Sequence, residues 1–356
     1  MFNKIKIGLG ALCLSGSLLF GAPLNVDACS EIQINATNFP DASFRKTVSE
    51  EADSNKDGKL SRDEQLAVKQ LYLNPNVTSL KGTEYFTNLE TLFARHSKIT
   101  TVDVRKNKKL TYLDVKGCEK LTSITLGCQK NLENLQCDNC SLTSLDVTGC
   151  PELNTLFCYA NQIKSLDLSR NKKLSILRCM GNQLDSLSLR NNKELTMLWC
   201  DDNNIKTLDL GSAPALLKTF ASGKKVEGGK YTTYQFDGTN NLMMDKNVTV
   251  TANRNTWFHV GSKWYYFGTD GSEAKGWKQV DGKWYYFKKD GLMATREWIG
   301  GYWLEKDGSW DGKKAASWKK TAKGWMYKTA AGKCIKNSKV TIDGKKYSFD
   351  KKGYMK

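Results

Sequence analysis

The chain is poor in the residues on which hydrolytic chemistry most often rests. It has two histidines, His96 and His259, and neither a G-x-S-x-G nor an H-E-x-x-H run occurs in its 356 residues. These gaps exclude the common serine-hydrolase and zinc-protease signatures. The repeats described below leave no segment over for a catalytic domain, so the chain reads as a non-enzyme. Long apolar runs are also missing: no later segment approaches the roughly 20 residues that a membrane span needs. The start of the chain is different. Lys4 and Lys6 precede an apolar run from Ile7 to Phe20, and Val26, Asp27 and Ala28 offer a small-residue cleavage site. This predicts export, with residues 1–28 a signal peptide and Cys29 the first mature residue. A lipid-modified Cys29 is the alternative, which Asp27 disfavours. Acidic charge is in deficit, with 54 Lys and Arg against 37 Asp and Glu and a net charge of +17. Residues 257–356 alone hold 22 basic against 10 acidic side chains. Such a tail seeks polyanions through long-range attraction that salt screens. For an exported chain these are wall polymers or host glycans rather than nucleic acid; the other reading is that the lysines keep an aromatic-rich module soluble.

Repetition is plentiful. Leucines at 89, 110, 132, 153, 174, 195 and 216 open units spaced by 21 or 22 residues, as in LNTLFCYANQIKSLDLSRNKK from Leu153 to Lys173. Within a unit the order is L-x-x-L-x-(L/C/V/A)-x-x-(N/C/S)-x-(L/I). A fixed period of this length indicates stacked structural units. The pattern resembles the leucine-rich repeats of internalin-like bacterial surface proteins, over about Leu71 to Leu217.

The period also accounts for the cysteines. Cys137, Cys158, Cys179 and Cys200 share the sixth place of their units, held earlier by Val115. The leucine-rich resemblance places that position in the core, where free Cys acts as a small hydrophobe. Side-by-side disulfides between parallel strands would be strained, and a row of thiolates does not converge as structural zinc requires. Disulfides involving the less regular Cys118, Cys128, Cys140 and Cys150 remain open. So many unpaired thiols outside a cell would suggest anoxic or reducing surroundings. Asn161, Asn182 and Asn203, at the ninth place, suit the exit from a strand because asparagine bonds its own turn. Outward positions between the leucines include Phe93, Tyr112, Phe157, Tyr159, Ile176, Arg178, Met180, Met197 and Trp199. Of these, Phe93, Tyr112, Phe157, Tyr159, Arg178 and Trp199 are the candidate partner-binding residues, because such types are enriched in interface cores.

Before the array, DSNKDGKLSRDE from Asp53 to Glu64 fits the EF-hand loop at every required place. Asp53, Asn55 and Asp57 supply oxygens at alternate positions, and Gly58 permits the sharp turn. Lys59 offers its carbonyl, Ser61 a water-bridged position and Glu64 two carboxylate oxygens. The flanks read as helical. A single loop argues against a sensor pair and for a structural calcium site that caps the first end of the array.

The tail repeats differently. Trp257, Trp277, Trp298 and Trp318 lead units 20 or 21 residues apart, and GSKWYYFGTDG and DGKWYYFKKDG are near copies. Short alternating strands bounded by Asp-Gly or Gly turns predict successive β-hairpins. The unit GWKQVDGKWYYFKKDGLMAT closely resembles the choline-binding repeats of Gram-positive surface proteins. That resemblance implies teichoic-acid choline held in aromatic cages between neighbouring units. Carried over by position, Trp257 with Trp264 and Trp277 with Trp284 form cages, Tyr286 and Trp303 are donated by the next unit, Met293 is an apolar wall, and Trp298 leads the third unit. Tyr265, Tyr285, Phe267 and Phe287 are assigned to the hairpin core. The third unit lacks three residues before Tyr302, and the last has Lys346 where tryptophan is expected. That last unit looks more like glucan-binding repeats, which leaves a carbohydrate ligand open.

The fold class that follows is a repeat protein of mixed α+β type. Residues 1–28 are the signal peptide, 29–70 a helical cap with the calcium loop, 71–217 a parallel-strand leucine-rich solenoid, 218–256 a strand-rich connector and 257–356 a hairpin solenoid. The expected role is that of a non-catalytic secreted surface protein, held to the wall of a Gram-positive-type bacterium by its tail. It would display its leucine-rich face to an unknown protein or glycan, as an adhesin does. The alternatives are a secreted glucan-binding protein and, less favoured, an accessory to a wall hydrolase.

Overall fold

The computed structural model describes residues 31–313, 315–329 and 331–356. The expected signal peptide and Cys29 lie outside them. The chain divides into two compact units: one runs to Thr219 and resumes over Gly223–Thr249, and the other holds Phe220–Ser222 and Val250–Lys356.

In the first unit seven three-residue strands stack in parallel. They are Gln70–Tyr72, Thr91–Phe93, Tyr112–Asp114, Asn134–Gln136, Thr155–Phe157, Ile176–Arg178 and Met197–Trp199. Their pairing keeps the central leucines opposite one another. Because side chains alternate along a strand, each centre points inward while its neighbours face out. Leu71, Leu92, Leu113, Leu135, Leu156, Leu177 and Leu198 are accordingly buried. Two residues on, the inward place is filled by Ala94, Val115, Cys137, Cys158, Cys179 and Cys200, all buried.

Burial pushes the Cys158 thiol up to about 12 and raises Cys137, Cys179 and Cys200 in the same way. These sulfurs are packed thiols rather than nucleophilic thiolates. Cys118, Cys128, Cys140 and Cys150 are free as well. Cys137 and Cys140 have C-x-x-C spacing, yet burial raises both.

Each asparagine at the strand exit ties two turns together. Asn182 Nδ2 donates to the carbonyls of Cys158 and Cys179, both at 3.0 Å, and its Oδ1 accepts the Ile163 N–H at 3.0 Å. Asn161 and Asn203 repeat the pattern one turn earlier and one later. A second buried ladder, which the sequence reading missed, lies further along the unit. Asn107, Asn171 and Asn192 each donate to two carbonyls, and Gln129 takes the same part between them. The backbone turns left-handed at the same place of successive units, at His96, Gly117, Asn139, Ala160, Gly181 and Asp202. At Gly117 a Cβ would strike the His96 ring, so that position requires glycine.

Both ends of the array are covered. At the first end, helix Ala42–Glu51 is capped by Asp41, whose Oδ1 accepts the Phe44 N–H at 2.7 Å. The other oxygen of Asp41 accepts the backbone N–H and hydroxyl of Thr78, at 2.8 and 2.6 Å, which fastens the cap to the first turn. Phe39 fills the joint, with ring centroids 5.8 Å from Phe44 and 6.3 Å from Phe86. At the far end, Thr239–Asp245 adds a parallel strand beside Met197–Trp199, with Leu242 opposite Leu198. Tyr231–Phe236 and Lys224–Glu227 follow antiparallel, completing a ten-stranded sheet. Leu242 and Met244 thus continue the leucine and cysteine rows. Three of the connector's strands, Lys224–Glu227, Tyr231–Phe236 and Thr239–Asp245, belong to the array's own sheet.

The second unit is built from five hairpins. Their strands are Thr256–Val260 with Lys263–Phe267, Gly276–Val280 with Lys283–Phe287, Glu297–Ile299 with Tyr302–Trp303, Ser317–Thr321 with Gly324–Lys328, and Ser338–Ile342 with Lys345–Phe349. One feature departs from a plain series: Glu297–Ile299 pairs in parallel with Ser338–Ile342, so the third and fifth hairpins share a sheet. Among the described residues no helix is long and apolar enough to cross a membrane.

Candidate functional site

In the first hairpin Trp257 pairs with Tyr266 and His259 with Trp264. Trp257 and Trp264 are therefore diagonal neighbours on one face, 6.2 Å apart with planes at 80°. Tyr285 of the next hairpin closes a third side, 5.0 Å from Trp257 and at 73°. Met293, whose N–H donates to the Trp264 carbonyl at 2.8 Å, sits in the apolar cluster against which Trp257 and Tyr285 pack. One unit on, Trp277 and Trp284 meet Tyr302, 5.7 Å from Trp277 and at 87°. Trp310 takes the methionine's place with the same 2.8 Å bond, to Trp284. These four rings alone line a cavity of about 310 Å3.

The arrangement recurs a third time, at residues that the sequence alone does not assign to a cage. Trp318 and Trp325 stand 6.4 Å apart at 90°, and Tyr347 lies 4.9 Å from Trp318. The Met355 N–H donates to the Trp325 carbonyl at 2.8 Å. Lys346 does not interrupt this site, because the preceding hairpin supplies both tryptophans and the last one only Tyr347 and Met355.

The structure corrects two expected donors. Tyr286 and Trp303 are not the rings set against the preceding unit's tryptophans: Tyr286 packs on Trp277 at 5.5 Å and Trp303 on Trp298 at 5.4 Å, each a ring of its own hairpin. Tyr285 and Tyr302 are the donated rings, so Tyr285, assigned to the core, faces a cage. A shift of one residue reverses the face a strand side chain occupies. Tyr265, Phe267 and Phe287 are buried in the hairpin core. Trp298 leads no fourth cage, since its short second strand, Tyr302–Trp303, has no tryptophan at the place of Trp264 and Trp284.

A cage of this kind has an electron-rich wall on each side and a lining of rings or a thioether. It suits a cation that has no hydrogen to donate. Each ring face contributes on the order of 0.5 to 2 kcal/mol to such a ligand. The second tryptophans, Trp264, Trp284 and Trp325, remain 38%, 41% and 41% exposed, so the cages are open.

On the array's outward face five of the six candidate residues fall into two groups. Phe93 stacks on Tyr72 at 4.8 Å and lies 5.0 Å from Tyr112. Further along, the Arg178 guanidinium lies 4.7 Å from the Phe157 ring and 4.1 Å from Trp199. Asp114 and Gln136 occupy the row between them. Asp114 is buried and paired with Arg95 at 2.5 Å. Burial, together with a hydrogen bond to Asp138, raises the Tyr159 hydroxyl.

The Asp53–Glu64 loop is folded around its own backbone. Asp53 accepts the N–H groups of Asp57 and Gly58, at 3.2 and 3.0 Å, and Asp57 accepts that of Lys59 at 2.9 Å. The two oxygens of Glu64 take the N–H and hydroxyl of Ser54 and of Ser61. Burial acts to raise this carboxyl, but those hydrogen bonds outweigh it and hold it down to about 2. The donor set is all oxygen with buried carboxylates at both ends, the chemistry a hard cation such as calcium takes, but among the described residues no three Asp, Glu, His or Cys side chains converge as a metal site. Binding through Glu64 would replace the Ser54 and Ser61 contacts.

Residues 255–298 match the family described as choline-binding repeat. None of the curated proteins matches the sequence. Among solved structures, internalin C2 from Listeria monocytogenes is 23% identical over 49% of this chain and 89% of its own, with a TM-score of 0.36. The functional domain of InlJ from the same organism, which includes a cysteine ladder, is 23% identical over 52% and 53%, with a TM-score of 0.30. The modular autolysin LytC from Streptococcus pneumoniae is 23% identical over 37% of each chain, with a TM-score of 0.19. The chain thus spans about half of InlJ and little more than a third of LytC.

Proposed function

We propose that the protein is a non-catalytic surface protein of a Gram-positive-type cell, exported and held to choline-bearing wall teichoic acid by its hairpin tail. The observation that carries this is the cage of two tryptophans, one tyrosine and a methionine or third tryptophan, built three times with the same backbone bond. A quaternary ammonium accepts what the cage offers, ring faces, and needs nothing the cage lacks. Three weak sites on one tail add avidity toward a polymer that repeats its ligand. The leucine-rich face, with its Phe93 and Trp199 groups, would then be displayed to a protein or glycan partner, as in an adhesin. Calcium, when bound, would be held by Asp53, Asn55, Asp57, the Lys59 carbonyl, Ser61 and Glu64, and would brace the cap on the first turn.

Calorimetric titration of the full chain with choline tests the anchor. Millimolar binding that weakens in Trp284→Ala is the expected result. Heat-free titration, or an isotherm indifferent to Trp284→Ala, would remove choline from the reading and leave the tail a binder of some other wall polymer.

A further inference from the structure

The third hairpin borders a hollow unlike the cages. Its pairing with the fifth hairpin is locked by the Asp343 N–H, which donates to the Trp298 carbonyl at 2.8 Å, and by the Asp343 carboxylate, which accepts the Gly300 N–H at 2.7 Å. This leaves a cavity of about 360 Å3, within the range of small-molecule pockets that begins at about 300 Å3. Trp298 and Trp303 lie along one side, 5.4 Å apart with planes at 53°. Glu305, Asp311, Lys313 and Thr329 also line it.

The polar groups make the difference. Asp311 accepts the Lys313 N–H at 3.0 Å and pairs with its ammonium at 3.2 Å. The Glu305 carboxylate has no ion-pair partner among the described residues. The Thr329 oxygen accepts the Lys333 N–H at 3.2 Å, which leaves its own proton to donate. A quaternary ammonium would be attracted to Glu305 but cannot donate to it or accept from Thr329, so the hydrogen-bonding capacity of both would go unused in a choline site. A pyranose ring uses them all: its C–H face lies on an indole, its hydroxyls donate to carboxylates and accept from the lysine and threonine.

We propose that this hollow is a sugar subsite, separate from the choline cages and able to hold one pyranose unit of a polysaccharide. It does not depend on the choline reading, because none of its lining belongs to a cage. Two sources share the chemistry, a glucan and the amino-sugar backbone of a wall, and two probes distinguish them. Isomaltotetraose and chitotetraose are titrated separately into the full chain, with choline present at saturation, and read by tryptophan fluorescence and calorimetry. One of the two is expected to bind in the millimolar range, and which one names the source. Glu305→Gln, a surface change that leaves packing intact, should weaken that binding about tenfold, or about 1.4 kcal/mol, and leave the choline isotherm unchanged. Trp303→Ala should abolish it, and Trp284→Ala should leave it intact while weakening choline. If neither sugar binds, or if the binding is displaced by choline or indifferent to Glu305→Gln, the subsite is refuted whatever the choline result.

Discussion

In the array the turns hide leucines, small apolar residues or cysteines, and in several turns an asparagine, behind three-residue strands. In the tail the largest rings stand partly in solvent: Trp264, Trp284 and Trp325 keep 38% to 41% of their surface. The array's repeated residues thus build the fold, and its outward face is left to residues that vary from turn to turn. The tail's repeated residues divide their work, with Phe267, Phe287 and Phe349 buried and the tryptophans lining cages. A repeat in the first unit identifies a scaffold; in the second it also recurs as an open aromatic cage.

The largest effect should separate the two by stability. Leu156→Ala empties a fully buried site and should cost about 2 to 5 kcal/mol, read by denaturant unfolding, while the choline isotherm of the folded protein stays unchanged. Loss of choline binding in the folded variant would contradict the division of labour. Next is the pH dependence of the tail. In the first hairpin unit Glu273 takes the place that Met293 has in the second. Burial raises its carboxyl to about 7, with Asp290 adding to the rise and Lys275 opposing it. A raised acid stays protonated in the fold while the unfolded chain ionises, so stability should be greatest below about 4.5 and fall until about 7. The loss is on the order of 3 kcal/mol at most. Glu273→Gln should flatten that slope in melts between these limits; an unchanged slope would refute the assignment.

A smaller effect sharpens the count of cages. Trp325→Ala should lower the number of choline molecules bound from three to two at little cost in melting temperature. Each ring is worth about 0.5 to 2 kcal/mol to its ligand. Three sites still filled would exclude the last cage. The smallest concerns the cap: calcium at ten times its dissociation constant should add about 1.4 kcal/mol, seen as a rise in the array's melting temperature that Glu64→Gln reduces. No rise at millimolar calcium would leave the loop a turn held by Ser54 and Ser61.

Much of this was readable beforehand, because strict periods fix both spacing and face. The leucine rows, the cysteine row and the hairpins follow from periods of 21 and 20 residues. What was not readable depends on contacts between distant segments. Nothing local in Glu297–Ile299 announces a parallel partner at Ser338–Ile342. Nor does Thr239–Asp245 show that it closes the array, since its leucine and methionine stand outside the repeat's spacing. The choice between Tyr285 and Tyr286 turned on a single step of strand alternation. Two adjacent tyrosines carry no pattern that resolves such a step. The Asn107 and Asn192 ladder was overlooked for a different reason: its members sit among lysines and asparagines that read as ordinary polar loop.

The asparagine bonds have a consequence for ancestry. Along the turns of Asn161, Asn182 and Asn203, each turn carries half of a joint to the turn before and half of a joint to the turn after, and those joints are chemically alike, whereas Cys118 and Cys140 hold the place in earlier turns. Excising or duplicating one complete unit, such as residues 153–173, would let the severed halves find equivalent partners, whereas a cut out of phase would leave carbonyls unmatched inside the stack. The number of turns is therefore a quantity that recombination can change in whole steps, lengthening or shortening the displayed face without redesigning either cap.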